Sequence, residues 1–357
     1  MRTWIRIAAI GLTLMGGCLP RPATSPRPAT SPPSLTSVIV LMEGVVGDRG
    51  PFDFAAAGVG AFQRSEGVKV PLIAMGYDPL AWERMIREAA RDPNYRFFLI
   101  GMEGPARLGL EMARIFPGKR FVLLGLPPEE AIPPNVLAIS FDEWEMGWVA
   151  GYIAGRWVDP ARTRQPIGAL IGPGAEALWE GYACGAQTAG APPEALRIET
   201  VASDRDPLVG FEAALRLYAQ GVPIAAGLAG GSSAGLFEAA GALRRYAIGI
   251  GADWYDRYAA MRSPATQTLL GSVTPAVDEV VRRTLRQSRR GELPFGIHRT
   301  LGWHAGGIAW RGSPVFFHRA PQELQQALRE RTLQPTPCPA PQKGHGESRS
   351  HPTSILL

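Results

Sequence analysis

Short apolar runs alternate with longer amphipathic stretches through the middle of the chain. Most of the runs are apolar throughout, as expected for strands that helices cover on both faces. Between them apolar residues recur at helical spacing, for example Phe211, Leu215 and Tyr218 at offsets of four and seven. The pattern predicts ten strands: Val38–Met42, Val70–Met75, Arg96–Gly101, Arg120–Gly125, Val136–Ser140, Ile167–Ile171, Arg197–Val201, Pro223–Ala226, Ala247–Ile250 and Leu269–Val273.

The alternation of strands and helices at this spacing predicts an α/β protein with doubly wound parallel sheets. The patterned region is about 300 residues long, which is enough for a large core and two lobes. Near its end, Gly312 and Pro314 interrupt two short apolar runs between Gly307 and His318. That interruption predicts a hairpin that closes the fold.

The first 17 residues have the composition of a signal peptide. Arg2 and Arg6 flank an apolar segment from Ile7 to Met15, which is too short to span a bilayer. The following Gly-Gly-Cys resembles a bacterial lipobox, although Met15 stands where that motif prefers Leu. The resemblance implies cleavage before Cys18, acylation of Cys18 and attachment to a membrane. The alternative is an ordinary buried cysteine at the end of a hydrophobic segment.

Both ends of the patterned region are flanked by sequence without apolar periodicity. Residues 18–37 comprise the lipidated Cys and a Pro-rich tether, with a near repeat of RPATSP that favours an extended chain. Residues 334–357 are predicted to form a disordered tail. The chain has three cysteines, and we interpret Cys184 as a small buried residue and Cys338 as part of the tail. The sequence therefore predicts no disulfide framework.

Composition and motifs argue against several classes of function. The formal net charge is +5, two of these charges belong to the leader, and no basic run resembles a nucleic-acid footprint. None of the five histidines has metal-ligand spacing to another ligand. The Gly-rich segments lack the Lys of a P-loop, and no G-x-S-x-G elbow follows a strand. We therefore expect no enzyme activity, no metal and no cofactor.

Six segments resemble, in the same order, motifs of the basic membrane lipoprotein family, the nucleoside-type substrate-binding lipoproteins of ABC transporters. The resemblance covers Val38 to Trp310. It implies a type I periplasmic-binding-protein-like fold, with two lobes joined by several crossings and a ligand cleft between them. The segments are VIVLMEGVVGDRGPFDFAAAGVGAF, NVLAISFDEWEMGWVAGYIAG, IGALIGPGAEALWEGYACGA, GLAGGSSAGLFEAAG, AIGIGADWYD and LLGSVTPAVDEVV.

With this resemblance, lobe 1 is expected to comprise residues 38–141 and 252–289. Lobe 2 is expected to comprise residues 142–251 and 290–320. The implied function is that of a membrane-anchored, extracytoplasmic lipoprotein that delivers a small molecule to the permease of an ABC importer. The molecule would be nucleoside-like or another small solute, with an aromatic solute among the candidates. In open parallel sheets such ligands lie beyond the carboxyl ends of the strands.

The loop after the first strand carries three candidate ligand-binding residues, Asp48, Phe52 and Asp53. The family's loop offers an Asp, a packing Phe and an Asn, and one inserted residue aligns Phe52 with that Phe and Asp53 with that Asn. The ungapped alignment instead places Phe52 on the Asn. A surface turn in which Asp53 caps a helix that begins near Phe54 is the alternative.

Four further candidates follow other strands. Glu103 comes where the family has a cleft-lining turn, or it caps a helix that begins at Pro105. Trp179 lies one residue past the family's stacking Phe, although a lone Trp on a helix is more often part of a core. Gly231 and Ser232 form a small-residue turn that suits close approach of a ligand, or they simply connect a strand to a helix.

The sequence departs from the family at the positions that are implied to grip a ribose. Gly251 replaces an Asp, Pro275 replaces a Lys, and Gly125 aligns with a third acid. Asp253, two residues beyond Gly251, is a candidate substitute and the last predicted ligand-binding residue. We therefore expect a ligand that is flatter or less hydroxylated than a nucleoside.

Two other classes of function remain open from the sequence. A membrane-anchored sensor or regulatory binding module with a diverged ligand site is the first, and it predicts a receptor as partner instead of a permease. An exported hydrolase of unusual type is the second. It requires a paired acid and base in an open pocket.

Overall fold

The computed structural model describes residues 37–128, 131–157 and 165–338. The predicted signal peptide, Cys18, all but the last residue of the tether and residues 339–357 of the predicted tail lie outside the described residues. Within the described residues, no helix has the length and apolar character needed to cross a membrane.

The first lobe begins with alternating strands and helices. In chain order these are β1 (Val38–Met42), α1 (Pro51–Glu66), β2 (Leu72–Ala74), α2 (Pro79–Arg91), β3 (Phe97–Gly101), α3 (Glu103–Ile115), β4 (Arg120–Leu124) and β5 (Val136–Phe141).

The second lobe follows without interruption of this pattern. Its elements are α4 (Glu143–Trp157), β6 (Ile167–Ile171), α5 (Glu176–Thr188), β7 (Leu196–Thr200), α6 (Pro207–Ala219), β8 (Ile224–Leu228), α7 (Ser233–Leu243), β9 (Tyr246–Ile250), α8 (Trp254–Ala260) and β10 (Leu269–Pro275). The closing segment comprises α9 (Val277–Arg290), β11 (Ile297–Leu301), β12 (Ile308–Gly312), α10 (Pro314–Arg319) and α11 (Gln322–Arg329).

The strands form two six-stranded sheets, one in each lobe. The first has the order β11-β5-β4-β3-β1-β2 and is parallel throughout. The second has the order β12-β10-β9-β8-β6-β7, in which only β12 runs antiparallel to its neighbour. The two doubly wound, mainly parallel sheets and all ten predicted strands are confirmed.

Successive residues of each central strand enter opposite cores, which explains why these strands are apolar throughout. In β1, Val38, Val40 and Met42 pack with α1 and α9, whereas Ile39 and Leu41 pack with α2 and α3. The second sheet divides in the same way, with α4 and α5 on one face and α6, α7 and α8 on the other. Parallel strands that helices cover on both faces have no polar side to show.

Sheet membership corrects the expected lobe boundaries at two strands. β10 was expected in lobe 1, but it pairs with β9 in the second sheet. β11 falls in the segment expected to complete lobe 2, but it pairs with β5 in the first sheet. The chain therefore crosses between the sheets after β5, after β10 and after β11. Sequence periodicity identifies a strand but not its sheet.

The predicted hairpin between Gly307 and His318 is wrong. Only β12 is a strand there, and it pairs with β10. The second apolar run forms α10, because Ser313 caps that helix by accepting a hydrogen bond from the Phe316 N–H at 3.2 Å and Pro314 occupies its first turn.

A disulfide joins Cys184 of α5 to Cys338, which corrects the interpretation of both residues. Cys184 is buried as expected, but it is not a free thiol. The bond closes a loop with a sequence separation of 154 residues and holds the beginning of the predicted tail against the core of lobe 2. Closing a loop of this length stabilises the fold by about 2–4 kcal/mol.

Candidate functional site

A cavity of about 690 Å³ lies between the two sheets, where strands of both lobes end. Lobe 1 contributes residues that follow β1, β3, β4 and β5, and lobe 2 contributes the turn before α5 and the end of β10. The lining residues are Glu43, Met102, Glu103, Gly125, Pro127, Pro128, Ser140, Phe141, Asp142, Glu143, Trp144, Met146, Gly174, Ala177, Pro275 and Thr300. This is where parallel sheets place ligands.

Glu43 is the first residue after β1 and projects from a partly buried position. Its backbone N–H donates to the Gly101 carbonyl oxygen at 2.7 Å, which fixes the chain as it leaves the strand. Burial raises the pKa of the Glu43 carboxyl above its ordinary value of 4.5. Arg205 counteracts the increase, whereas the negative charges of Asp48 and Glu103 add to it.

Asp142 and Glu143 occupy the first crossing between the lobes, directly after β5. The Asp142 carboxylate accepts a hydrogen bond from the Glu145 N–H at 2.9 Å and thereby supports the start of α4. Glu143 reaches solvent at the cavity, yet desolvation by surrounding atoms raises its pKa, and the charges of Glu103 and Asp142 raise it further. A carboxylate in this setting favours a positive charge nearby.

Hydroxyl and aromatic groups complete the lining. The hydroxyls of Ser140 on β5 and Thr300 on β11 lie 2.9 Å apart and form a hydrogen bond across the two strands. Phe141 at the end of β5 and Trp144 in the first turn of α4 present apolar surface to the cavity. The site therefore combines carboxylates with aromatic side chains.

Eight ligand-binding residues were predicted from the sequence, and one of them, Glu103, is in the lining of this cavity. It is the first residue of α3, whose N-cap is Met102, so the expected helix start at Pro105 is two residues late. The Glu103 carboxylate forms an exposed ion pair with Arg107 at 3.0 Å.

Asp48 and Asp53 stabilise the turn between β1 and α1. Asp48 accepts hydrogen bonds from the Gly50 N–H at 2.8 Å, the Val45 N–H at 3.3 Å and the Tyr77 hydroxyl at 3.1 Å. Asp53 accepts from the N–H groups of two residues that precede the helix, Gly47 at 3.0 Å and Arg49 at 2.9 Å.

Helix α1 begins earlier than the sequence predicted. Its N-cap is Gly50 and its first residue is Pro51, so Asp53 lies in the first turn and is not the cap. Phe52 is buried in the core of lobe 1, with 6% of its surface exposed.

Trp179, Gly231 and Ser232 contact other parts of lobe 2. Trp179 is half-buried on α5 and stacks against Tyr182, with ring centroids 6.1 Å apart. The fully buried Ser232 hydroxyl donates to the Ser203 carbonyl oxygen at 2.8 Å and accepts from the Asp206 N–H at 2.9 Å. The turn that contains Gly231 thus anchors the loop before α6.

Asp253 joins the two lobes through its backbone. Its N–H donates to the Arg49 carbonyl oxygen at 2.9 Å, and its carboxylate caps α8 by accepting from the Asp256 N–H at 3.0 Å. The Arg49 guanidinium also lies 3.1 Å from the Asp256 carboxylate. Burial raises the pKa of Asp253.

The three positions that depart from the resembled family lie around the same region. Pro275 and Gly125 both line the cavity, and neither has a polar side chain to offer. Gly251 has a φ of +85° and open space where a side chain would project. The cavity thus contains none of the three charged side chains that the resemblance implied at these positions.

Sequence reasoning missed Glu43, Asp142, Glu143 and Trp144. A signal for them exists, because each follows a correctly predicted strand within three residues. The rule that ligands lie at the carboxyl ends of parallel strands points to these positions. The comparison with family motifs instead selected residues further along the chain, such as Asp48 and Asp53 in the β1–α1 loop and Trp179 on α5.

The described residues contain no group of three or more His, Cys, Asp or Glu side chains placed to hold a metal ion. The cavity's carboxylates form an acidic lining.

Comparison with protein families identifies one match. The sequence model of the Bmp family, described as ABC transporter substrate-binding protein PnrA-like, matches residues 35–336. No sequence among the curated proteins matches the chain.

Several solved structures share the fold. A solute-binding protein of an ABC transporter system from Aeropyrum pernix K1 has a TM-score of 0.61 and 22% identity, over 83% of this chain and 87% of that chain. One from Conexibacter woesei DSM 14684 has a TM-score of 0.63 and 21% identity, over 83% and 97%. A transcriptional activator of the comK gene from Bacillus halodurans has a TM-score of 0.62 and 19% identity, over 82% and 95%.

Proposed function

Since the chain belongs to the Bmp family of PnrA-like ABC transporter substrate-binding proteins, we propose that it captures a small solute in the cavity between its lobes and delivers it to the permease of an ABC importer. One observation carries this proposal: strands of both sheets end at a cavity of about 690 Å³. A ligand held there contacts both lobes, so its binding free energy favours closure.

Three crossings between the lobes support a hinge motion. Backbone hydrogen bonds connect two of them to the closing segment, from the Asp142 N–H to the Leu301 carbonyl oxygen and from the Ala276 N–H to the Gly307 carbonyl oxygen. Adjacent crossings restrict the lobes to rotation about a common axis. A permease can recognise the closed arrangement that results.

Attachment at Cys18 would keep this binding domain at the extracytoplasmic face of the membrane. The Pro-rich sequence between Cys18 and β1 would serve as an extended tether for this domain. Family members are substrate-binding proteins and not enzymes, and we extend this to the present chain.

The proposal is tested by mass spectrometry of small molecules that co-purify with the full-length protein. We expect one compound at close to one equivalent, and its loss from an Ala177→Trp variant, because the indole would fill the cavity from α5. An Ala259→Trp variant serves as the control for added bulk, because Ala259 lies on α8, which contributes no residue to the cavity lining. Equal retention by Ala177→Trp and wild type would exclude this cavity as the site.

A regulatory binding module is the second candidate. The Bacillus halodurans protein shows that the fold also occurs in a protein named as a transcriptional activator. Gene neighbourhood separates the two functions, because an importer component should have two permease genes and an ATPase gene beside it. A receptor gene in their place would favour the sensor.

A further inference from the structure

We infer that the cavity between the lobes selects an organic cation with a compact or planar apolar part. This inference rests on the proposed function, because it assigns the substrate class of the same site. It goes beyond that function by excluding neutral and anionic solutes as the preferred ligands.

The charge of the lining carries the inference. Four carboxylate side chains line the cavity, Glu43, Glu103, Asp142 and Glu143, and they come from three different strand ends. In the described part of the chain, no Lys, Arg or His lines it. These carboxylates would repel an anionic ligand and attract a cationic one.

The carboxylates are close enough to act on one another. The negative charge of Glu103 raises the pKa of Glu43 and also the pKa of Glu143. Their mutual repulsion is a cost that the ligand-free protein bears. A bound cation relieves that cost, and closure around the ligand strengthens the attraction because water is displaced.

Only part of this charge is neutralised within the protein. Glu103 pairs with Arg107, and Arg205 lowers the pKa of Glu43 from a largely exposed position. One carboxylate oxygen of Asp142 accepts a hydrogen bond from the Glu145 N–H. Neither Glu43 nor Glu143 forms an ion pair anywhere in the described residues, so both remain available to a ligand.

The apolar lining defines the other half of the ligand. Trp144 and Phe141 lie beside Glu143 and Asp142 in the sequence, and all four line the cavity. An indole face attracts cations as well as planar rings. Pro275 and Gly125 provide no side-chain hydrogen bonds for a polyhydroxylated ligand.

The test uses ligands that differ in charge but hardly in shape. Tryptamine, tryptophol and indole-3-acetate carry the same ring with a positive, neutral and negative end, and choline is matched by the neutral 3,3-dimethylbutan-1-ol. Inosine represents a neutral nucleoside. Binding of each to the full-length protein is measured by calorimetry at pH 7.5 after removal of any co-purifying compound. We expect at least one cation to bind at least tenfold more tightly than its neutral counterpart, and no binding of indole-3-acetate.

Substitutions assign the preference to the cavity. Glu143→Gln and Glu43→Gln keep the side-chain shape, and each should weaken cation binding about tenfold while leaving the neutral counterpart unaffected. Glu111→Gln is the matched control, because Glu111 is exposed on α3, the helix of Glu103, and does not line the cavity. That variant should bind cations as the wild type does.

The outcomes separate this inference from the proposed function. Equal affinity for a neutral counterpart, tight binding of inosine, or failure of both cations to bind overturns the inference. If inosine binds or a neutral solute co-purifies, solute binding itself still stands. Loss of all binding in the panel together with absence of any co-purifying compound would overturn the proposed function as well.

Discussion

Glu43 shows how the demands of folding and of ligand binding conflict at a single residue. It is partly buried, its pKa is raised by burial, and two further carboxylates add to the shift. The folded protein therefore takes up this proton more readily than the unfolded chain. Between 4.5 and the raised pKa, stability falls as the pH rises, so ionised Glu43 destabilises the ligand-free fold at neutral pH.

Replacing Glu43 by Gln should accordingly stabilise the ligand-free protein at pH 7.5. We expect Tm to increase, because Gln removes a charge that is costly to hold in this partly buried position. The increase should disappear at pH 4, where wild-type Glu43 is protonated. Thermal unfolding at both pH values checks this, with Glu111→Gln as the control. A decrease in Tm at pH 7.5 would show that the Glu43 charge stabilises the fold.

The candidate residues show how far a sequence can define this site. Asp48 and Asp53 were selected because short acids in a loop can reach a ligand, and both accept hydrogen bonds from backbone N–H groups of their own turn. Local hydrogen bonding and ligand contact require the same residue types, so composition alone does not separate them. Glu143 became a candidate only when the three-dimensional structure placed it in the same cavity lining as Glu103.

Helices α4 and α5 pack with almost no space between their backbones. Glycines spaced four residues apart form the contact, Gly147 and Gly151 on α4 and Gly181 and Gly185 on α5. A Cβ atom on any of them would overlap a backbone carbonyl oxygen of the partner helix. Since α4 begins at the cavity and α5 carries Cys184, this contact joins the site to the core of lobe 2.

Gly151→Ala should therefore destabilise the protein by at least about 3 kcal/mol, because one helix must move away from the other. Gly60→Ala is the control. Gly60 is also inside a helix, but the nearest atom to its added Cβ is the flexible Arg64 Nη1 at 3.3 Å, so we expect no loss and a gain of up to about 1 kcal/mol. Urea unfolding measures both. Similar stabilities of the two variants would contradict the close-packing argument.

Individual strands were predictable, but their partners were not. The central strands have continuous apolar runs because helices cover both of their faces. β11 was missed because three consecutive polar residues, His298, Arg299 and Thr300, separate Ile297 from Leu301 at the edge of the first sheet. The assignment of β10 and β11 to sheets depends on crossings that leave no periodic signal. The disulfide was missed for a similar reason, since Cys184 and Cys338 are brought together only by the fold.

At the scale of the whole molecule, one contact between the two lobes joins the loop before α1 to the start of α8. The Arg49 carbonyl oxygen accepts from the Asp253 N–H, and the Arg49 guanidinium pairs with Asp256. The loop that holds Arg49 is fixed in turn by Asp53. A movement of the lobes that separates these two elements must break both contacts, so the contacts favour the arrangement in which they are formed.

Asp256→Asn removes the ion pair but leaves the backbone hydrogen bond and the cavity lining intact. Both side chains are about half exposed, at 41% and 54%, and pairs of this kind contribute up to about 1 kcal/mol. We therefore expect ligand affinity to fall by no more than about fivefold, with a larger radius of gyration by small-angle scattering in the ligand-free state. The difference from wild type should vanish in 1 M salt.

Glu83→Gln is the matched control for that experiment, because Glu83 forms an exposed ion pair with Arg87 inside α2 and spans no lobes. Its affinity and radius of gyration should equal those of the wild type. If both variants behave alike, the contact between Arg49 and Asp256 does not govern closure. If only Asp256→Asn opens the cleft, the exposed ion pair between Arg49 and Asp256, 3.1 Å long, contributes to ligand affinity without contacting the ligand. The reason is that the free energy of closure is included in the free energy of binding.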